Sequence, residues 1–115
     1  MTPIKYPLSC KKGTTFRKKW YLFDKDKKPL DLSTYTGRMQ IKVDFDSDAI
    51  IELTTENSGI VIADNYIELF ISDSDTSSLF DPGSYKYDIE IISGSNGDVS
   101  CPFFGSFKVT DEVTR

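Results

Sequence analysis

At 115 residues, with 38% hydrophobic and 13% aromatic content, the chain has material for one core, so a single domain over residues 1–115 is expected. It has no histidine, which removes the usual Ser-His and Cys-His relays, and its net charge of −4 argues against nucleic acid as a partner, since phosphate binding needs a cationic footprint. No apolar run approaches the ~20 residues that span a bilayer, and Met1-Thr2-Pro3-Ile4-Lys5-Tyr6-Pro7 lacks a signal peptide's apolar block, so neither membrane insertion nor signal-directed export is expected.

The first segment alternates Ile4, Tyr6 and Leu8 with Lys5, Pro7 and Ser9. Proline cannot donate to a ladder, so this is an edge strand, or a strand lent to a partner. After Gly13, residues 15–23 read as a second strand in which Phe16, Trp20 and Leu22 share one parity and Lys18 is its single polar exception. Trp20 is expected to anchor the core rather than to serve as a sugar-stacking platform. Asp24-Lys25-Asp26-Lys27-Lys28-Pro29 is a charged turn, Leu30 to Ser33 leads over an edge, and Gly37, Met39, Ile41 and Val43 then alternate with Arg38, Gln40 and Lys42 in a half-buried strand.

Asp44-Phe45-Asp46-Ser47-Asp48 begins like a calcium loop, with carboxylates at every second place. An EF-hand requires Gly at its sixth place and Glu at its twelfth, and counted from Asp44 these are Ala49 and Thr55. A solvated hairpin loop and a loose surface calcium site through Asp44, Asp46 and Asp48 both stay open. Ile51 and Leu53 continue as a short strand, Asn57-Ser58-Gly59 turns it, and residues 60–63 and 66–71 form a hairpin across Asp64-Asn65, with Ile67, Leu69 and Ile71 pointing one way. Residues 72–79 open with Ser and Asp, good N-cap residues, and predict one or two helical turns closing one end of the fold.

Asp81-Pro82-Gly83 then turns the chain into a strand with Tyr85, Tyr87, Ile89 and Ile91 on one face and Lys86, Asp88 and Glu90 on the other. A tyrosine just after such a corner is where immunoglobulin-type sandwiches place the tyrosine corner, its hydroxyl bonded to upstream backbone, and Tyr85 fits that role. Antibody domains carry a cysteine at the next inward position; here it is Tyr87, so packing alone must hold the layers. Residues 93–98 form a hairpin tip, after which Phe103, Gly105, Phe107 and Val109 alternate with Phe104, Ser106 and Lys108, leaving Phe104 on the opposite face as a candidate contact residue. The pattern as a whole predicts an all-β fold, an Ig-like antiparallel β-sandwich of seven to eight strands with a short helix at one end.

Cys10 ends the first strand and Cys101 opens the last. If those strands run parallel along one edge, the sulfurs lie at opposite ends, and two free thiols are expected, as suits assembly in a reducing cytoplasm. Residues 1–42 hold eleven Lys or Arg and three Asp or Glu, a balance of +8, whereas residues 43–115 hold three and fifteen, a balance of −12. Either basic and acidic strands interleave within one fold, or the basic third meets an acidic surface of a second copy.

Asp88 and Glu90 share a strand face about 7 Å apart, a spacing that could serve a glycosidase, but carboxylates alternating with core residues are ordinarily solubilising groups. No Gly-rich phosphate cradle is present. No catalytic residue, cofactor-binding residue or metal ligand is singled out, and a non-enzymatic role is expected.

The order Gly13-Thr14-Thr15-Phe16, Pro29-Leu30-Asp31-Leu32-Ser33-Thr34-Tyr35-Thr36-Gly37-Arg38-Met39-Gln40-Ile41, Pro82-Gly83-Ser84-Tyr85-Lys86-Tyr87-Asp88-Ile89-Glu90 and Gly105 to Arg115 resembles a widespread group of small virion proteins of tailed bacteriophages. That group shares an Ig-like sandwich with the N-terminal domain of lactococcal phage baseplate upper proteins. The resemblance implies an accessory structural subunit of the tail, baseplate, neck or head surface, assembled in the host cytoplasm into the virion. It implies other virion proteins as partners, self-association as an option, and no membrane. The acidic loop 44–48 and Cys101-Pro102-Phe103-Phe104 depart from many relatives. Contacts are expected from residues 4–10 and from the tail Glu112 to Arg115 by strand addition. Two alternatives share the fold: a carbohydrate-binding module using Tyr21, Phe23 or Phe104, and a calcium-dependent adhesion module using Asp44, Asp46 and Asp48.

Overall fold

A computed structural model of the chain describes residues 2–111. It contains β1 (Ile4–Lys5), β2 (Leu8–Lys11), β3 (Phe16–Tyr21), β4 (Thr36–Lys42), β5 (Ile51–Thr54), β6 (Ile60–Ala63), β7 (Tyr66–Ile71), α1 (Asp73–Leu79), β8 (Gly83–Ile92) and β9 (Val99–Thr110). One sheet runs β1-β9-β8-β4-β5, with β2 also on β9, and the other runs β3-β7-β6. The two layers form an all-β sandwich whose β8 carries the tyrosine corner: Tyr85 Oη donates to Asp81 O at 2.5 Å and accepts from the Asp81 N–H at 3.1 Å.

The larger sheet is mixed rather than wholly antiparallel, because β1 and β2 run parallel to β9. No hairpin links the first and last strands, so nothing forces an antiparallel pairing on them. β1 and β2 are one edge strand interrupted at Tyr6-Pro7, where the proline can offer the ladder no N–H. Counting them together gives eight strands. Leu8 faces Phe107 and Cys10 faces Val109, so Cys10 and Cys101 lie about eight residues, or roughly 26 Å, apart along the edge, and both thiols are free.

Strand parity fills the core. Met39, Ile41, Tyr87, Ile89, Ile91, Phe103, Phe107 and Val109 from one sheet meet Phe16, Trp20, Ile60, Ile67, Leu69 and Ile71 from the other. Trp20 stacks on Phe103 at 4.3 Å and meets the Tyr6 ring edge-on at 5.4 Å, while Phe107 lies between Phe16 and Phe80 at 5.2 and 5.6 Å. Among the described residues the buried Trp20 Nε1–H has no hydrogen-bond partner, which costs about 1–3 kcal/mol against the ring's packing.

Two departures from simple alternation bear on the surface. Val43 does not continue the inward face of β4 but lies outside, 55% exposed, because the strand ends at Lys42 and the turn to β5 begins there. Between Ile89↔Phe103 and Ile91↔Ser100 the register of β8 and β9 shifts, so Cys101 and Pro102 together oppose Glu90. This bulge explains how a proline sits within a central strand, and it leaves Pro102 buried.

The helix begins as its sequence dictates: Ser72 Oγ accepts from Asp75 N–H at 3.2 Å, and Asp73 and Asp75 occupy the positive first turn. Thr76, fully buried, accepts from Gly13 N–H at 3.1 Å and donates to Thr14 O at 2.8 Å, fixing α1 beneath the β2–β3 loop. The two charged halves of the chain interleave. Arg38 bonds Glu90 at 2.8 Å across β4 and β8, Lys19 stands opposite Glu68, and Lys12 approaches Asp81 at 3.9 Å.

Candidate contact surface

Most of the exposed rings gather in two places, while Val43, Val61, Leu79 and Val99 are exposed elsewhere. On the outer face of the larger sheet, Phe45, Lys42, Lys86, Asp88, Cys101 and Phe104 line a broad open groove of about 890 Å³. Phe104 owes its place to strand parity, opposite Asp88 on β8, and is 38% exposed. Phe45, the tip of the β4–β5 loop, is 81% exposed, with Lys86 Nζ 5.3 Å from its ring centre. The Asp on either side of Phe45 holds that stretch in solvent, a signal in the sequence that strand periodicity does not reveal.

The groove's electrostatics are mixed. Partial enclosure pushes the Asp88 carboxyl up, Glu90 adds to this, and Lys42 and Arg38 oppose it. Glu90 is committed to the Arg38 guanidinium through Nε at 3.1 Å and Nη2 at 2.8 Å, so the two carboxylates on this face are unlike in availability. Burial raises the Cys101 thiol, and its Sγ lies 3.5 Å from Phe103 O.

The second place is the rim between the sheets, where β1 and the end of β3 approach. Ile4, Tyr21 and Phe23, each more than half exposed, surround a small apolar recess of about 180 Å³ backed by Leu30, Pro102 and Phe103. Tyr21 belongs to the outer face of the smaller sheet, where cations lie over rings: Arg17 over Phe70 at 4.6 Å and Lys19 over Tyr66 at 4.0 Å. Of the cations of β3, Lys18 points inward, its Nζ donating to Tyr6 Oη at 2.8 Å.

The rings named from the sequence therefore divide: Tyr21 and Phe23 share the rim recess, and Phe104 lies in the other groove. Asp44 turns back on its own loop, accepting from Ser47 Oγ at 2.8 Å and Asp46 N–H at 3.0 Å, and these bonds hold its carboxyl below the usual range. Among the described residues no three His, Cys, Asp or Glu side chains are grouped to hold a metal ion. Of the two segments expected to make contacts, residues 4–10 form one edge of the larger sheet, and the tail Glu112 to Arg115 lies outside the described residues. No protein-family model matches the chain, and no curated protein matches its sequence.

Proposed function

We propose that the chain is a non-enzymatic structural subunit of a tailed-bacteriophage particle, an Ig-like module that joins neighbouring virion proteins. The origin in phage rests on the sequence resemblance alone. The observation that supports a joining role is the placement of Ile4, Tyr21, Phe23, Phe45 and Phe104 outside a core that holds twenty buried apolar side chains among the described residues. Apolar side chains grouped on a rigid sandwich are the usual material of protein contacts.

Mass spectrometry of purified particles tests the reading directly, with the chain expected in fixed stoichiometry and its absence fatal to the proposal. Deleting residues 1–9 is expected to impair incorporation. Because that deletion also strips β1 and part of β2 from β9, the paired variants Phe45→Ser and Phe104→Ala provide an arm that leaves the core intact. Folded variants that incorporate like the parent chain would exclude the groove as a contact.

A second reading, glycan binding, draws on Tyr21 and Phe23 flanking one recess. Loss of glycan-array binding on replacing both rings by alanine would favour it.

A further inference from the structure

We infer that the free edge of β3 is a docking site for an extended acidic strand of another protein, an inference that rests on the joining role proposed above and gives it a place. The argument begins with hydrogen-bond parity. The hairpin across Asp64-Asn65 pairs Ala63 with Tyr66, and Phe70 N–H donates to Gly59 O at 2.9 Å, so Tyr66, Glu68 and Phe70 bond toward β6. Ile67, Leu69 and Ile71 therefore bond toward β3, to Trp20, Lys18 and Phe16. Leu22 N–H donating to Asn65 O at 2.7 Å fixes the same alternation from the other strand. By elimination the main-chain N–H and C=O groups of Arg17, Lys19 and Tyr21 point away from the sheet, and no strand pairs with β3 on that side among the described residues.

An edge of this length is a template for strand addition unless it is guarded. Here the guard also selects. Arg17, Lys18 and Lys19 are consecutive, Lys18 leans into the seam between the sheets, and Lys11 at the end of β2 and Lys12 just after it precede them in the chain. Pairing β3 with β3 of a second copy would set cation against cation, which destabilises directly opposed residues. A strand carrying carboxylates meets the opposite sign at Arg17 and Lys19 and a ring at Tyr21, and Glu68, opposite Lys19, is the acidic neighbour within the sheet. The chain's own acidic edge residue, Glu52 of β5, already accepts from Gln40 Nε2 at 2.6 Å. The occupant is therefore a strand from a different chain, with an apolar residue at its end to cover the recess of Ile4, Tyr21 and Phe23.

The probe is a synthetic peptide of alternating Glu and Thr ending in Leu, with a Lys-for-Glu version as control, titrated against the isotope-labelled chain at low salt. The amides of Arg17, Lys19 and Tyr21 are expected to shift and gain exchange protection, while the control peptide leaves them unchanged. Arg17→Glu with Lys19→Glu is expected to weaken binding by about tenfold or more. Lys19→Pro removes an outward N–H and the Lys19 side chain over Tyr66 but no hydrogen bond of the sheet, so it is expected to block addition while the chain keeps its fold by circular dichroism. Equal binding of both peptides, protection mapped to β2 or β5, displacement of the peptide by a single-stranded oligonucleotide, or self-association abolished by Lys19→Pro would each overturn the inference. If particles contain the chain but the peptide result fails, only the edge assignment falls; if particles lack the chain, the peptide result still reads the edge independently.

Discussion

The hydroxyl of Tyr87 donates to the main-chain carbonyl of Tyr6 at 2.5 Å, joining residues 81 positions apart. Tyr87 occupies the inward position that in antibody domains belongs to a cysteine, and it fastens the N-terminal edge at the very point where Pro7 interrupts the ladder. Burial, with smaller contributions from Tyr6 and Cys101, pushes the phenol well above its ordinary value and favours the protonated, donating form.

Tyr87→Phe keeps the ring and deletes that bond, leaving the Tyr6 carbonyl short of a partner. A loss of about 1–3 kcal/mol in urea unfolding is expected, with faster hydrogen exchange along β1 and β2 than along β4.

Gly105 lies opposite Tyr87, at φ 150°, and a Cβ built there would come within 2.9 Å of the Tyr6 carbonyl oxygen. Gly105→Ala must therefore push the edge strand outward as well as strain its own backbone. A destabilisation of about 1–3 kcal/mol is expected, read as a lower thermal midpoint.

Thr76→Val exchanges a buried hydroxyl for a methyl of similar size. The Gly13 N–H and Thr14 carbonyl lose their partner in α1, and a loss of about 1–3 kcal/mol is expected from denaturant unfolding. Thr76→Ser, which retains the hydroxyl, should recover most of it.

Asp88 titrates with a raised carboxyl pKa in the folded chain, so ionising it there costs more than in the unfolded chain. The penalty is absent below the ordinary carboxylate range and grows as pH rises through the raised value. Asp88→Asn is accordingly expected to raise the urea midpoint relative to the parent chain at pH 7 and to leave it unchanged at pH 3.

Much of this arrangement is legible in the residues themselves. The alternation of Ile67, Leu69 and Ile71, the Ser72 cap and the Tyr85 corner each express a local rule, and each appears where that rule places it. What local rules cannot supply is partnership at long range. Nothing near Trp20 names Phe103 as its stacking partner, and nothing near Thr76 names Gly13. Parity also fails where the chain departs from an unbroken strand. Val43 lies one residue beyond β4, and the bulge opposite Glu90 puts Cys101 in the groove beside Asp88. The surface is less legible than the core because exposure there depends on which strands become neighbours. Tyr21, Phe23 and Phe104 are all at the surface, yet only the topology separates Phe104 from the other two.

The parallel pairing of β1 and β2 with β9 has a mechanical consequence. The chain enters at the head of the edge strand and leaves at the foot of its neighbour, so tension between Ile4 and Thr110 runs along the strand axes. The rungs joining these strands are then loaded together in shear instead of being peeled open one at a time. Pulled between those two points, the sandwich resists extension until the whole clamp gives.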